Sequence, residues 1–119
     1  MITIRGAITV ESNTEEDILN GTIVLLEEIE SKNSINQELV ISIIFSVTED
    51  LDKVAPAKGA RQMGYTSAGL MCFNEMNVEN GLKKCIRLIM FYNSKQDQKS
   101  VKHVYLRKAA KLRPDLQVD

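Results

Sequence analysis

From Ile2 to Val10 two kinds of position alternate. Ile2, Ile4, Gly6, Ile8 and Val10 share one side of an extended chain, and Thr3, Arg5, Ala7 and Thr9 the other. A period of two predicts a half-buried strand. The period then lengthens: Ile18, Leu19, Thr22, Leu25, Leu26 and Ile29 recur at helical spacing until about Lys32. Thr14 precedes this run as a cap, Asp17 stands at the capping-box position, and Glu15, Glu16 and Asp17 suit the positive end of a helix dipole. Asn33, Ser34 and Asn36 mark a loop. Leu39 to Phe45 is nearly all apolar and rich in β-branched residues, which predicts a strand covered on both faces. Thr48 to Leu51 reads as a short helical turn before Pro56. Ala57 to Met63 reads as a second short helix, with Gly64 placed to end it. Residues 67–73 read as a short strand, although Gly69 weakens it, and Val78 to Gly81 as a turn. Cys85 to Tyr92 is the clearest strand pattern, interrupted by the charge of Arg87. Val101 to Leu106 reads as a last strand, followed by a helical turn before Arg113-Pro114-Asp115. Strands alternating with helices predict the α+β class: one mixed sheet with helices packed on one face.

A chain of 119 residues has room for one core, so residues 1–119 are expected to form a single domain. No apolar run approaches the roughly 20 residues that span a bilayer. The N-terminal residues lack the ordered regions of a secretory signal, and a cytoplasmic protein without membrane partners is expected. Cys72 and Cys85 show no CxxC or Cys/His ligand spacing, which argues against a disulfide framework or a structural zinc site. The net charge is −1, so a general nucleic-acid footprint is absent. The charge is unevenly spread, however. Residues 1–59 carry 4 basic and 11 acidic side chains, and residues 60–119 carry 11 basic and 5 acidic. Such asymmetry fits complementary subunit faces or an anion site in the second half; it equally fits solvated faces on different elements.

Arg87 is the sharpest single clue. A guanidinium cannot shed its charge, so in an apolar strand it needs a carboxylate, carbonyls or an anionic ligand. An edge strand or a structural ion pair would also accommodate it. Arg5 lies on the less apolar side of the first strand, where solvent is its simplest partner. Glu75 follows a strand end, a place where sites assemble and where solvated glutamates are also common. Lys58 and Arg61, three residues apart on the short helix, can share a face as a basic lip or stand exposed. Tyr105 can offer its hydroxyl to a carboxylate or simply pack. His103 is the only histidine and a poor metal ligand alone. There is no glycine-rich phosphate loop, GxSxG or HExxH. Five arginines with a few polar groups suit recognition of a small anion better than covalent or metal catalysis.

Several segments, in order, resemble the monofunctional bacterial chorismate mutases of the trimeric mixed α/β kind, which are unrelated to the all-helical kind. They are Ile4-Arg5-Gly6-Ala7-Ile8-Thr9-Val10-Glu11, Thr14-Glu15-Glu16, Pro56-Ala57-Lys58 with Arg61, and Cys72-Phe73-Asn74-Glu75-Met76. Gly81-Leu82-Lys83-Lys84-Cys85-Ile86-Arg87 is highly characteristic, and His103-Val104-Tyr105-Leu106 and Leu112-Arg113-Pro114-Asp115-Leu116 close the chain in the same manner. Each motif is weak alone; together, in register over nearly the whole chain, they are specific.

The resemblance implies rearrangement of chorismate to prephenate, without cofactor or metal, on the branch toward phenylalanine and tyrosine. It also implies a homotrimer forming a pseudo α/β barrel, with active sites in clefts between subunits. By matching positions, Arg87 is expected to donate to the ether oxygen and a carboxylate, while Arg5 and Tyr105 hold the side-chain carboxylate. Glu75 and the Cys72 region, with Met71, Phe73 and Asn74, are expected to receive the ring hydroxyl and cover the ring. Ala57, Lys58 and Arg61 are expected near the mouth, and Arg113 in a tail that closes over the site. The chain departs from the family at Ala55, where a bulky apolar residue can stand, and at Met71, which is bulkier than expected. Two other readings remain: a non-catalytic trimeric module that binds a small carboxylate, and an enamine or imine deaminase of similar size, against which the Lys83–Arg87 context speaks.

Overall fold

A computed structural model describes residues 1–116. Five strands form one mixed sheet: β1 (Ile2–Thr9), β2 (Val40–Val47), β3 (Gly69–Asn74), β4 (Cys85–Tyr92) and β5 (Val104–Leu106). Their order is β3-β2-β4-β1-β5, so the strand that carries Arg87 is central. β4 runs antiparallel to both neighbours, while β3 pairs parallel with β2 and β5 parallel with β1. Two helices, α1 (Glu15–Asn33) and α2 (Pro56–Gln62), lie on one side of this sheet.

α1 begins where the sequence places it. Thr14 is extended, and its side chain accepts from the Asp17 N–H. Asp17 does not reach back to the Thr14 N–H, as a capping box would. Its carboxylate accepts instead from the Ser12 N–H at 3.1 Å and from the Ser12 hydroxyl at 2.6 Å. The helix buries Ile18, Thr22, Leu25, Leu26 and Ile29 against Ile2, Ile4, Ile8, Ile86, Leu88 and Met90. It comes close over β1 because Gly6 has no side chain: a Cβ there would stand 2.9 Å from Ile29 Cδ1 and 3.1 Å from Leu25 Cδ1. α2 packs on α1 and β3, and ends at Gly64, whose φ of 109° only glycine adopts without strain.

Several boundaries and faces differ from the sequence expectation, each because a tertiary partner decides them. β2 runs on to Val47, and only one of its faces is covered: Val40, Ile43, Phe45 and Val47 are buried, while Ile41 is exposed and Ile44 half-buried. Among the described residues no helix packs on that second face of β2, so the apolar run is an uncovered face rather than a doubly covered strand. β3 begins at Gly69, where pairing with Ser42 starts. β5 is three residues long because β1 offers it only Gly6, Ala7 and Ile8 as partners. Thr48–Leu51 makes a single turn, closed by the Leu51 N–H on the Thr48 carbonyl. Ala7 and Thr9, on the more polar side of β1, are buried all the same. The 3₁₀ segment Arg107–Leu112 folds over them and forms a small second core of Ala7, Cys85, Tyr105 and Ala109.

Candidate functional site

Strand pairing sets the site. On the helix-free side of the sheet, register aligns Phe73 of β3, Ser46 of β2, Arg87 of β4, Ala7 of β1 and Tyr105 of β5 in a row across all five strands. One pair further along lie Arg5 and Ile89, with Ile44 and Met71 beyond them. Arg87 is therefore not an edge residue. It stands at the middle of the open face, and its side chain is 40% exposed. The nearest carboxylate oxygen, Glu75 Oε2, is 3.8 Å from Arg87 Nη1, too far for a direct hydrogen bond and near enough for attraction. Among the described residues the guanidinium has no closer carboxylate, and it lines the groove.

Two hollows meet at this pair. One, of about 300 Å³, is lined by Arg5, Ile44, Ser46, Phe73, Glu75, Arg87, Ile89 and Tyr105. The other, of about 680 Å³, lies under the segment from Glu75 to Lys83, with Thr48, Asp50, Cys85, Arg87 and Leu112 on its walls. Glu75 and Arg87 line both. One wall of the second hollow is built on a clamp that sequence reading missed. The Thr48 hydroxyl donates to Asp50 Oδ1 and accepts from the Cys85 N–H, and the Lys84 N–H donates to both Asp50 oxygens. This ties the end of β2 to the start of β4, two residues before Arg87. Lys84 takes a left-handed φ of 49° to make the connection. Thr48 followed by an acid, ahead of a basic pair, was the available signal.

At the β5 side, Arg5, Tyr105 and Arg113 gather. The Arg5 backbone N–H donates to His103 Nδ1 at 2.9 Å, and Arg113 forms a forked pair with Asp115 at 2.8 and 3.1 Å. Burial, then the charges of Arg5 and Arg113, hold His103 below the usual imidazole value. Burial pushes the Cys85 thiol up to about 11 against the opposing pull of Arg87, which makes it a packing group rather than a nucleophile. Among the described residues, no three of His, Cys, Asp or Glu cluster as a metal site, and no helix is long and apolar enough to cross a membrane.

The sequence candidates thus fall into two groups within one chain. Arg5, Phe73, Glu75, Arg87 and Tyr105 converge on the open face, with Met71 beside them and Arg113 at the margin. Ala57, Lys58 and Arg61 sit on α2, on the helix side, where Lys58 pairs with Glu15 at 2.7 Å. Cys72 alternates away from Phe73 and packs toward α2; burial raises its thiol above the usual value, and Ala57 and Arg61 are its near neighbours. Asn74 alternates in the same direction and is exposed. Ala55, immediately before α2, carries no side-chain cap hydrogen bond and lies on that same side. The closing tail beyond residue 116 lies outside the described residues.

Comparison with known proteins bears on the whole chain. Residues 1–116 match a family model described as chorismate mutase type I. The chain is 46% identical over 114 residues to the chorismate mutase AroH of Bacillus subtilis (strain 168), covering 95% of this chain and 90% of that one. It is 44% identical over 115 residues to the chorismate mutase AroH of Thermus thermophilus, covering 96% and 94%. A solved chorismate mutase from Clostridium thermocellum superposes with a TM-score of 0.89 at 50% identity, over 92% of this chain and 97% of the other.

Proposed function

The chain belongs to the chorismate mutase type I family and is a chorismate mutase, and from that premise we propose how its residues convert chorismate to prephenate. The rearrangement is unimolecular and requires no nucleophile and no proton transfer. A catalyst must hold the folded-up conformer of a dianion and stabilise the negative charge that builds on the ether oxygen as its C–O bond breaks. Arg87 supplies the donor for that oxygen. Its strand is central, its charge is permanent, and it is already in place before the reaction, so little reorganisation is needed as charge develops. Arg5 and Tyr105 bind the side-chain carboxylate, with Arg113 closing over them. Glu75 accepts the ring hydroxyl, and Phe73 and Met71 cover the ring.

The remaining residues enter from a neighbouring copy. The open face exposes Ile41, Met71 and Phe73 and leaves Ile44, Ile89 and Phe91 half-buried, an apolar surface that a chain of this size covers by association. Ala57, Lys58, Arg61, Cys72 and Asn74 face away from Arg87 within one chain. A homotrimer, its sheets turned inward as a pseudo α/β barrel, brings the β3–α2 edge of one 1–119 domain to the groove of the next. Each cleft then has two walls and a positive mouth that draws in a dianion.

The observation that carries this reading is Arg87, central on the open face, 40% exposed and 3.8 Å from its nearest carboxylate oxygen among the described residues. Purified protein mixed with chorismate should speed the loss of its ultraviolet absorbance and the appearance of prephenate, with or without a chelator. Binding without acceleration would instead identify a carboxylate-binding module.

A further inference from the structure

Ser46 touches the Arg87–Glu75 pair, and none of the roles above uses it. Register places it directly between Phe73 of β3 and Arg87 of β4. Its hydroxyl donates to Glu75 Oε1 at 2.5 Å, and the Glu75 N–H donates to the Val47 carbonyl at 2.7 Å. Consecutive residues of β2 therefore tether Glu75 at its backbone and at one carboxylate oxygen. The other oxygen, Oε2, stops 3.8 Å short of Arg87 Nη1.

That gap is the informative feature. A glutamate free to rotate beside a guanidinium can close to a short, forked ion pair with two charge-assisted hydrogen bonds. Such closure would spend the donors that a substrate oxygen needs. We propose that Ser46 is a positioning residue for the reaction: by holding Glu75 Oε1, it keeps the carboxylate from collapsing onto Arg87 and leaves both groups open toward the groove. This rests on the reading of Arg87 and Glu75 as substrate contacts.

Ser46→Ala removes the donor from a half-buried strand position without adding bulk. A hydrogen bond to a charged group accounts for about a tenfold to hundredfold change, and kcat/KM with chorismate should fall by that factor. Ser46→Thr keeps the hydroxyl, and its β-branched side chain suits a strand; it should recover most of the loss. In a Glu75→Ala background, Ser46→Ala should cost no more than about twofold, since the group it positions is gone. Full activity in Ser46→Ala, with Glu75→Ala slow, would overturn the role of Ser46 alone. An equal loss in both backgrounds, or no recovery with threonine, would assign Ser46 to packing and also overturn it. Near-normal turnover in Glu75→Ala would remove the reading of Glu75 itself, and this inference with it.

Discussion

At the scale of single residues, the open face depends on where one cation is held. Arg87 faces Ala7 on one side and Ser46 on the other, two side chains too small to crowd it, so the guanidinium extends over the sheet rather than being packed flat. Its placement also explains how sequence reading found it. A permanent charge within the apolar run Cys85–Tyr92 is costly unless something negative meets it. Ser46 gave no comparable signal, because the run before it appeared to end at Phe45 and a serine at a strand end is unremarkable. Arg87→Ala and Arg87→Lys should both fold, since the side chain is partly exposed and anchors no core. Both should lower kcat by at least about 10²–10³, the usual effect of removing one preorganised donor. Lysine should not restore the rate, because a single ammonium cannot serve an ether oxygen and a carboxylate with a planar fork. Circular dichroism confirms the fold and single-turnover kinetics reads the rate; normal turnover in either variant would take Arg87 out of the mechanism.

At the scale of elements, local rules account for α1 and α2 and long-range pairing for the rest. Thr14, the acidic first turn and Gly64 act within a few residues of themselves, so their signals are readable in order along the chain. β5 is different: its length is set by β1, nearly a hundred residues away. His103 strengthens that short pairing by accepting the Arg5 N–H through Nδ1, which requires a neutral ring at that nitrogen. Because its pKa in the folded chain is lowered, the unfolded chain takes up the proton more readily. Stability is therefore full above the ordinary histidine value of about 6.5 and falls as pH drops through and below it. Urea midpoints measured from pH 7.5 down to pH 5 should fall more steeply for the parent chain than for His103→Asn, whose amide oxygen can accept the same N–H at any of these pH values. Parallel curves for the two proteins would show that His103 does not contribute.

At the scale of the whole molecule, one face of the sheet carries the helices and the other carries the proposed site. The helix side buries the main core. Among the described residues the other side has only the small cluster around Tyr105 and Ala109, and leaves apolar side chains of β2, β3 and β4 uncovered. If a neighbouring copy covers them, a charge placed there should separate the copies and leave each chain folded. Phe91→Glu, on β4 and outside both hollows, makes this test. The parent should sediment at roughly three times the 13.4 kDa chain mass and the variant near one, with turnover lost although Arg87 and Glu75 are untouched. A monomeric variant with full activity would refute the shared cleft.

The sequence by itself determined the order of strands and helices along the chain, the Thr14 cap, the anomalous cation and the family likeness, because each of these is written in neighbours or in ordered motifs. Tertiary structure alone decided that β4 is central, that β2 has a bare face, and that Ser46 and Glu75 meet beside Arg87 while Cys72 and Lys58 turn away. The physical reason is range. A cap or a period is set by interactions within one or two turns of chain, whereas strand order and the covering of a face follow from which distant surfaces exclude water most completely.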